Sequence, residues 1–252
     1  VGERERRTQQ RVVAFLRDVL DYDYLGDWHR RAGNRSIETT YLTTWLQRQG
    51  HGEKLIGKVL YELEKAAALG GSTTLFESNR DVYGLLRYGV KVQPDVGEQN
   101  VTVWLIDWTN PANNDFALAE EVTVEGEHGK RPDIVLYVNG IAIGILELKR
   151  STVSVSEGIR QNLDSQKKTF IQPFYTTVQL VLAGNETEGL RYATIETPEK
   201  YWLRWKEPGG HTDAGNNPLL RELGQLCSKP RFLELIHDFI VFDTGTKKAC
   251  RH

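Results

Sequence analysis

Apolar residues recur with the period of a helix over the N-terminal part of the chain. In ERERRTQQRVVAFLRDVL, residues 3–20, the side chains of Val12, Val13, Leu16 and Leu20 fall on one stripe. Residues 38–49 and 53–69 repeat the pattern as two more helices, divided by QGHG and closed by Gly70 and Gly71. The intervening DYDYLGDWHRRAGNRS reads as a loop with aromatic anchors. The pattern then shortens to alternation or to continuous apolar runs. Residues 82–93, 101–108, 116–125, 131–138 and 141–149 are predicted strands separated by turn signals. Residues 154–168 return to the helical period, and Ser154 with Glu157 three positions on fits a capping box. Strands are predicted at 177–183 and 190–195, a loop-rich stretch at 198–218, and helices at 218–227 and 230–240. This order predicts an α/β or α+β domain around a mixed sheet, with residues 1–72 as a helical segment packed on a core of residues 73–252.

Composition narrows the classes. The chain has 252 residues, 39% hydrophobic and 26% charged, enough for a core of ordinary size. A formal net charge of −2 argues against a tight, independent nucleic-acid binder, but not against a catalytic domain delivered to DNA by partners. The two cysteines, Cys227 and Cys250, form no CxxC pair, so structural zinc and a secreted disulfide framework are both disfavoured. The opening VGERERRTQQ is no signal peptide, and no apolar run reaches membrane-spanning length. A cytoplasmic protein is expected, and the absence of methionine suggests a missing native start. The histidines at 29, 51, 128, 211, 237 and 252 form no metal-ligand spacing. GxGxxG, GxxxxGK[ST] and GxSxG are all absent.

The chemistry concentrates in RPDIVLYVNGIAIGILELKR, residues 131–150. Residues 141–146 are apolar on both faces, which predicts a central strand. Glu147 and Lys149, two apart, share a face at its end. Asn139-Gly140 is a strong hairpin signal. A plain two-residue turn sets residue 133 opposite 146 and leaves Asp133 on the wrong face for Glu147. A bulge or a three-residue loop sets 133 opposite 147 instead. Cooperation between the two acids therefore demands an irregular hairpin. If they converge, a divalent cation resolves their repulsion, and hard oxygen ligands suit Mg²⁺. The carbonyl of Leu148 is a candidate third ligand, and Lys149 is placed to orient a bound water. The plainer reading is a same-face ion pair, with Asp133 as a turn residue after Pro132.

The stretch resembles the motif of the PD-(D/E)XK nuclease superfamily, as RPD-(x13)-ELK. More of the chain, about residues 75–252, resembles the N-terminal nuclease region of type I restriction enzyme R subunits. RDVYGLLRYGVKVQ, LIDWTNPANNDFALAEE, EGIRQNLDSQKKTFIQPFY and VQLVLAGNETEGLRYATIETPEKYWLRWKE carry it. The resemblance implies a restriction-endonuclease-like central mixed sheet flanked by helices. It also implies Mg²⁺-dependent cleavage of double-stranded DNA, with Mn²⁺ as substitute, beside modification and specificity subunits. ATP enters only through motor domains, which would begin about where KKACRH ends the chain. Asp133 and Glu147 match the metal-binding acids and Lys149 the catalytic lysine. Relatives carry Gln-xxx-Tyr on the next helix; here Gln161 is followed by Ser165, with Gln166 one further on. Gln161 is taken to face the site, against the reading that both glutamines are solvated. A further acid on the first helix is sought in Glu3 or Glu5, between which position does not choose; a charged first turn at a helix N-terminus is the commoner explanation. Glu120 and Glu121 precede the hairpin, and a surface role is expected of both. Trp202, Trp205 and Tyr201 are read as packing anchors rather than base-stacking platforms. Lys130, Arg131, Lys149, Arg150, Arg160, Lys167 and Lys168 are a candidate basic rim for phosphates. The alternatives are a repair nuclease of the same superfamily and an inert docking module of a DNA-processing complex.

Overall fold

The strand that is apolar on both faces lies at the centre of the molecule. The computed structural model describes residues 3–207 and 214–250. In chain order the helices are α1 (Glu3–Asp18), α2 (Thr39–Arg48), α3 (Glu53–Ala67), α4 (Leu75–Tyr88), α5 (Val155–Ser165), α6 (Pro218–Leu226) and α7 (Lys229–Asp238). The strands are β1 (Asp23–Asp27), β2 (Val90–Val92), β3 (Val101–Val103), β4 (Phe116–Glu120), β5 (Ile134–Val138) and β6 (Ile141–Leu148). They continue as β7 (Leu180–Asn185), β8 (Gly189–Ala193), β9 (Leu203–Arg204), β10 (Ile240–Asp243) and β11 (Thr246–Ala249). Seven of them form one sheet in the order β1-β4-β5-β6-β7-β8-β9, while β2-β3 and β10-β11 are separate ladders. The β1-β4 and β6-β7 pairs are parallel and the others in the sheet antiparallel. Helix α5 makes the β6-β7 crossover, as a parallel pair requires.

Both faces of the sheet are covered. One carries Phe116, Leu118, Ile134, Leu136, Leu146, Leu148 and Leu182 against the apolar stripes of α1 to α4, α6 and α7. The other carries Ala119, Val135, Tyr137, Ile145, Val181 and Ala183 against α5 and the 171–178 segment. The alternation fails at one place. Ile141 and Ile143 belong to the first face, yet Ile145 belongs to the second. The pairing explains it: Val138 faces Ile141, Tyr137 faces Ala142, and Leu136 faces Gly144, so Ile143 is an extra residue. Residue 133 therefore comes opposite 147. The turn is the two-residue kind, with φ of 52° at Asn139 and 82° at Gly140. The irregularity lies in β6.

Several predicted boundaries differ. Residues 82–93 are not a strand: most belong to α4, and only Val90–Val92 is extended. Thr74 and Glu77 form a reciprocal capping box, and Leu75, Ser78, Asn79, Val82, Tyr83 and Leu86 bury one helical stripe. Residues 23–27, predicted as loop, make the edge strand β1, and residues 240–249, which begin at the last residue of the predicted 230–240 helix, make the β10-β11 hairpin. The strand at 101–108 shortens to three residues, and the one at 116–125 ends where Glu121 takes φ of 52°. Ser154 caps α5 through the Ser156 N–H, but Glu157 turns to Arg160 and no capping box forms. Residues 208–213 of the predicted 198–218 loop lie outside the described residues. The outcome is a mixed α/β fold with a seven-stranded central sheet, the restriction-endonuclease-like arrangement.

The hairpin turn is pressed against the N-terminal helices. Glu38 donates its N–H to the Gly140 carbonyl at 2.8 Å, and a Cβ on Gly140 would stand 2.8 Å from the Glu38 carbonyl and from the Leu42 nitrogen. Gly140→Ala combines that clash with a positive φ, so it is expected to lower unfolding free energy by about 2 kcal/mol in urea titrations.

Candidate active site

The site is built where β5 begins and β6 ends. Asp133 immediately precedes β5, two positions before Val135, and so faces the α5 side of the sheet. The bulge carries Glu147, two after Ile145, to the same side. Both acids are buried. The Leu148 N–H donates to Asp133 Oδ2 at 2.6 Å, so the backbone of one strand grips the carboxylate of the other. Helix α5 supplies the next layer. Gly158 faces the end of β6, where a Cβ would make ordinary contact with the Glu147 carbonyl at 3.5 Å. Gln161, one turn on, spans the site: its Nε2 donates to Glu147 Oε2 at 2.5 Å, and its Oε1 accepts from Lys149 Nζ at 2.7 Å. Lys149 also meets the Glu5 carboxylate at 3.3 Å.

Burial sets the electrostatics. It pushes the Asp133 carboxyl up to about 6, against the pull of the Leu148 N–H and the Lys149 ammonium. Glu147 is pushed well above the ordinary range, first by burial and then by the neighbouring Asp133 charge. Two desolvated acids side by side hold protons that a cation would displace. Among the described residues no group of three or more His, Cys, Asp and Glu gathers around a point. The donors on offer are hard oxygens, two carboxylates and adjacent backbone. That set fits Mg²⁺ or Mn²⁺ and not zinc.

Asp133, Glu147, Leu148, Lys149 and Gln161 thus come together. Glu5 joins them through Lys149; the side chain of Glu3 lies outside the described residues. Gln166 does not reach the site. It is buried, donating to Asn162 Oδ1 at 2.9 Å and accepting the Glu196 N–H at 2.6 Å. Neither glutamine is solvated in the manner of a free helix surface. Glu120 accepts from Gln9 Nε2 and from the Tyr24 hydroxyl. Glu121 pairs with Arg131 at 2.6 Å and raises the Asp133 pKa through its charge, so it is nearer the site than a surface role implies. Trp202 and Trp205 are packed inside, and Tyr201 is exposed. The expected basic rim is partly neutralised: Arg131, Lys149, Arg160 and Lys167 sit in ion pairs with acids. Glu5 could be singled out only by folding α1 across the end of the sheet, which no local pattern announces.

Known proteins sharing this sequence are alike in kind. The family model described as "Type I restriction enzyme R protein N terminus" matches residues 2–200. The type I restriction enzyme HindI endonuclease subunit of Haemophilus influenzae is 34% identical over 190 residues, 71% of this chain and 18% of that protein. The SauMSSORF170P endonuclease subunit of Staphylococcus aureus is 24% identical over 177 residues, 69% of this chain and 18% of that protein. The EcoprrI endonuclease subunit of Escherichia coli is 22% identical over 153 residues, 57% of this chain and 47% of that protein. The chain spans about a fifth of the length of the first two. No helix among the described residues is long and apolar enough to cross a membrane.

The raised carboxyls fix the sign of a pH effect. The folded state binds more protons than the unfolded one between the ordinary value of 3.8 for Asp133 and about 6. Their contribution to stability is present below that window and lost as pH rises through it. Without divalent cations, Glu147→Gln is expected to stabilise the chain at pH 8 by about 1–3 kcal/mol and to change little at pH 4, as read by urea unfolding.

Proposed function

The chain belongs to the type I restriction enzyme R protein N-terminal family, and from that membership we propose that it is the Mg²⁺-dependent nuclease domain of such a subunit, hydrolysing phosphodiester bonds of double-stranded DNA. The observation that carries the reading is the convergence of Asp133 and Glu147 across a bulged hairpin, with Lys149 beside them. In this reading Asp133, Glu147 and the Leu148 carbonyl hold the cation, for which Mn²⁺ substitutes. The cation supplies Lewis acidity at the scissile phosphate and a more acidic bound water. Lys149 orients the attacking water through its ammonium protons and offsets the negative charge that develops on the phosphate oxygens. Gln161 ties the lysine to Glu147, so the two groups keep one spacing through the reaction.

The near-neutral chain and its paired arginines support a division of labour. Modification and specificity subunits would place the domain on DNA, and ATP would act only through motor domains elsewhere in the full subunit. The intact Asp, Glu and Lys weigh against an inert docking module.

Mn²⁺ calorimetry tests the reading on the chain and on Glu147→Ala. Binding by the chain that is abolished in Glu147→Ala is the expected outcome; undiminished binding in the variant moves the metal elsewhere and sinks the assignment. Repeating the titration at pH 7 in buffers of different ionisation enthalpy should report protons released on binding, because both acids are protonated more readily than free carboxyls. Lys149→Ala should keep Mn²⁺ binding and lower the cleavage rate of the assembled enzyme by about a hundredfold or more, in the range of a lost charge-stabilising donor.

A further inference from the structure

Behind the two acids lies a buried polar layer that the proposed reaction leaves unused. Helix α5 buries Gly158, Asn162 and Ser165 toward the sheet. The helical turn at Gln172–Thr176 brings Tyr175, itself fully buried, into the same layer. The backbone of Tyr175 is fixed: its carbonyl accepts from Asn79 Nδ2 at 3.1 Å and from the Val178 N–H at 3.2 Å. Its ring packs within the apolar set that includes Ile145, Ile159 and Ala183.

The hydroxyl is different, because it makes no hydrogen bond of good geometry. The neighbouring Ser165 Oγ donates its proton to the Gln161 carbonyl at 2.9 Å, so toward the phenol it serves only as an acceptor, and a neutral hydroxyl accepts more weakly than a carboxylate. Besides burial, the groups that act on the phenol are Glu147, whose charge raises its pKa, and Ser165. An unpaired hydroxyl at full burial costs about 1–3 kcal/mol relative to a paired one. Buried polar groups are paired as a rule, and an exception calls for an explanation, a catalytic role among them. Glu147 has acceptor capacity to spare: an ionised carboxylate offers about four lone-pair sites, and Gln161 occupies one.

We propose that Tyr175 is a positioning residue for Glu147, its hydroxyl donating to the carboxylate and holding it in the orientation that ligates the cation. The proposal rests on the metal reading of Asp133 and Glu147. Carboxylates that ligate metals are themselves hydrogen-bonded, and losing such a partner costs about 10- to 100-fold in metal affinity. Tyr175 touches neither substrate nor metal; it acts through Glu147.

The test counts free Mn²⁺ by its paramagnetic resonance signal, with and without a short duplex. It uses the chain, Tyr175→Phe, Tyr175→Met and Glu147→Ala, with urea unfolding of each. Tyr175→Phe is expected to weaken Mn²⁺ binding about tenfold or more while stability stays equal or rises. Tyr175→Met should lose stability through packing yet match the affinity of Tyr175→Phe, because both lack the hydroxyl. Affinity that is unchanged in Tyr175→Phe, or that follows stability across the two variants, overturns the proposal while abolished binding in Glu147→Ala leaves the metal reading intact. No Mn²⁺ binding by the chain under either condition, or full binding by Glu147→Ala, overturns both.

Discussion

Two carboxyl groups are forced together where bulk solvent hardly reaches them. The sheet is covered on both faces by apolar layers, and its two central strands deliver Asp133 and Glu147 to one end of one face. Taking a charge out of water is costly, and two like charges make it more so. The surroundings answer that constraint group by group. A backbone N–H grips Asp133, the Gln161 amide grips Glu147, and Lys149 is held within reach by Gln161 and Glu5. Three carboxyl groups, Asp133, Glu147 and Glu5, thus share one ammonium, and the balance is negative wherever they ionise.

The scaffold around this point is correspondingly close-fitting. Helix α5 packs on the end of β6, and Gly140 lets the start of α2 press onto the hairpin turn at its other end. The helical N-terminal segment is part of the same arrangement, since its apolar stripes complete the face opposite the acids and its first turn contributes Glu5. Asn79, whose amide holds the 175–178 backbone, also accepts from the buried Lys247 at 2.8 Å. The C-terminal hairpin is thus tied to the segment that underlies the site.

Much of this was legible in the residues. Side-chain parity alone showed that Asp133 and Glu147 need an irregular hairpin to meet, and double-sided hydrophobicity marked β6 as central. Gln161 came from the resemblance, whose relatives carry a glutamine on the helix after the second acid; its own spacing did not single it out. The errors have physical causes. Residues 82–93 are rich in apolar and β-branched side chains, and the T-x-x-E start of α4 seven residues earlier was passed over. The strand β1 is short and half polar, so its identity comes from pairing with β4 and not from propensity. Glu121 and Glu5 reach the site through tertiary placement, which local pattern does not encode. Which face an acid takes can be counted along a strand; what lies opposite it from a distant element cannot.

The extra residue in β6 gives the hairpin a tolerance to changes in length. Because Ile143 is unpaired against β5, a single-codon deletion between the turn and Gly144 would heal into a regular ladder with Leu136 still facing Gly144 and residue 133 still facing 147. The loss would fall on packing, through the missing isoleucine, and not on the alignment of the acids. An ancestral gene could therefore gain or shed a codon here while keeping its reactive groups in step. Searches that fix the number of residues between the two acids would then count as strangers proteins whose sites superimpose.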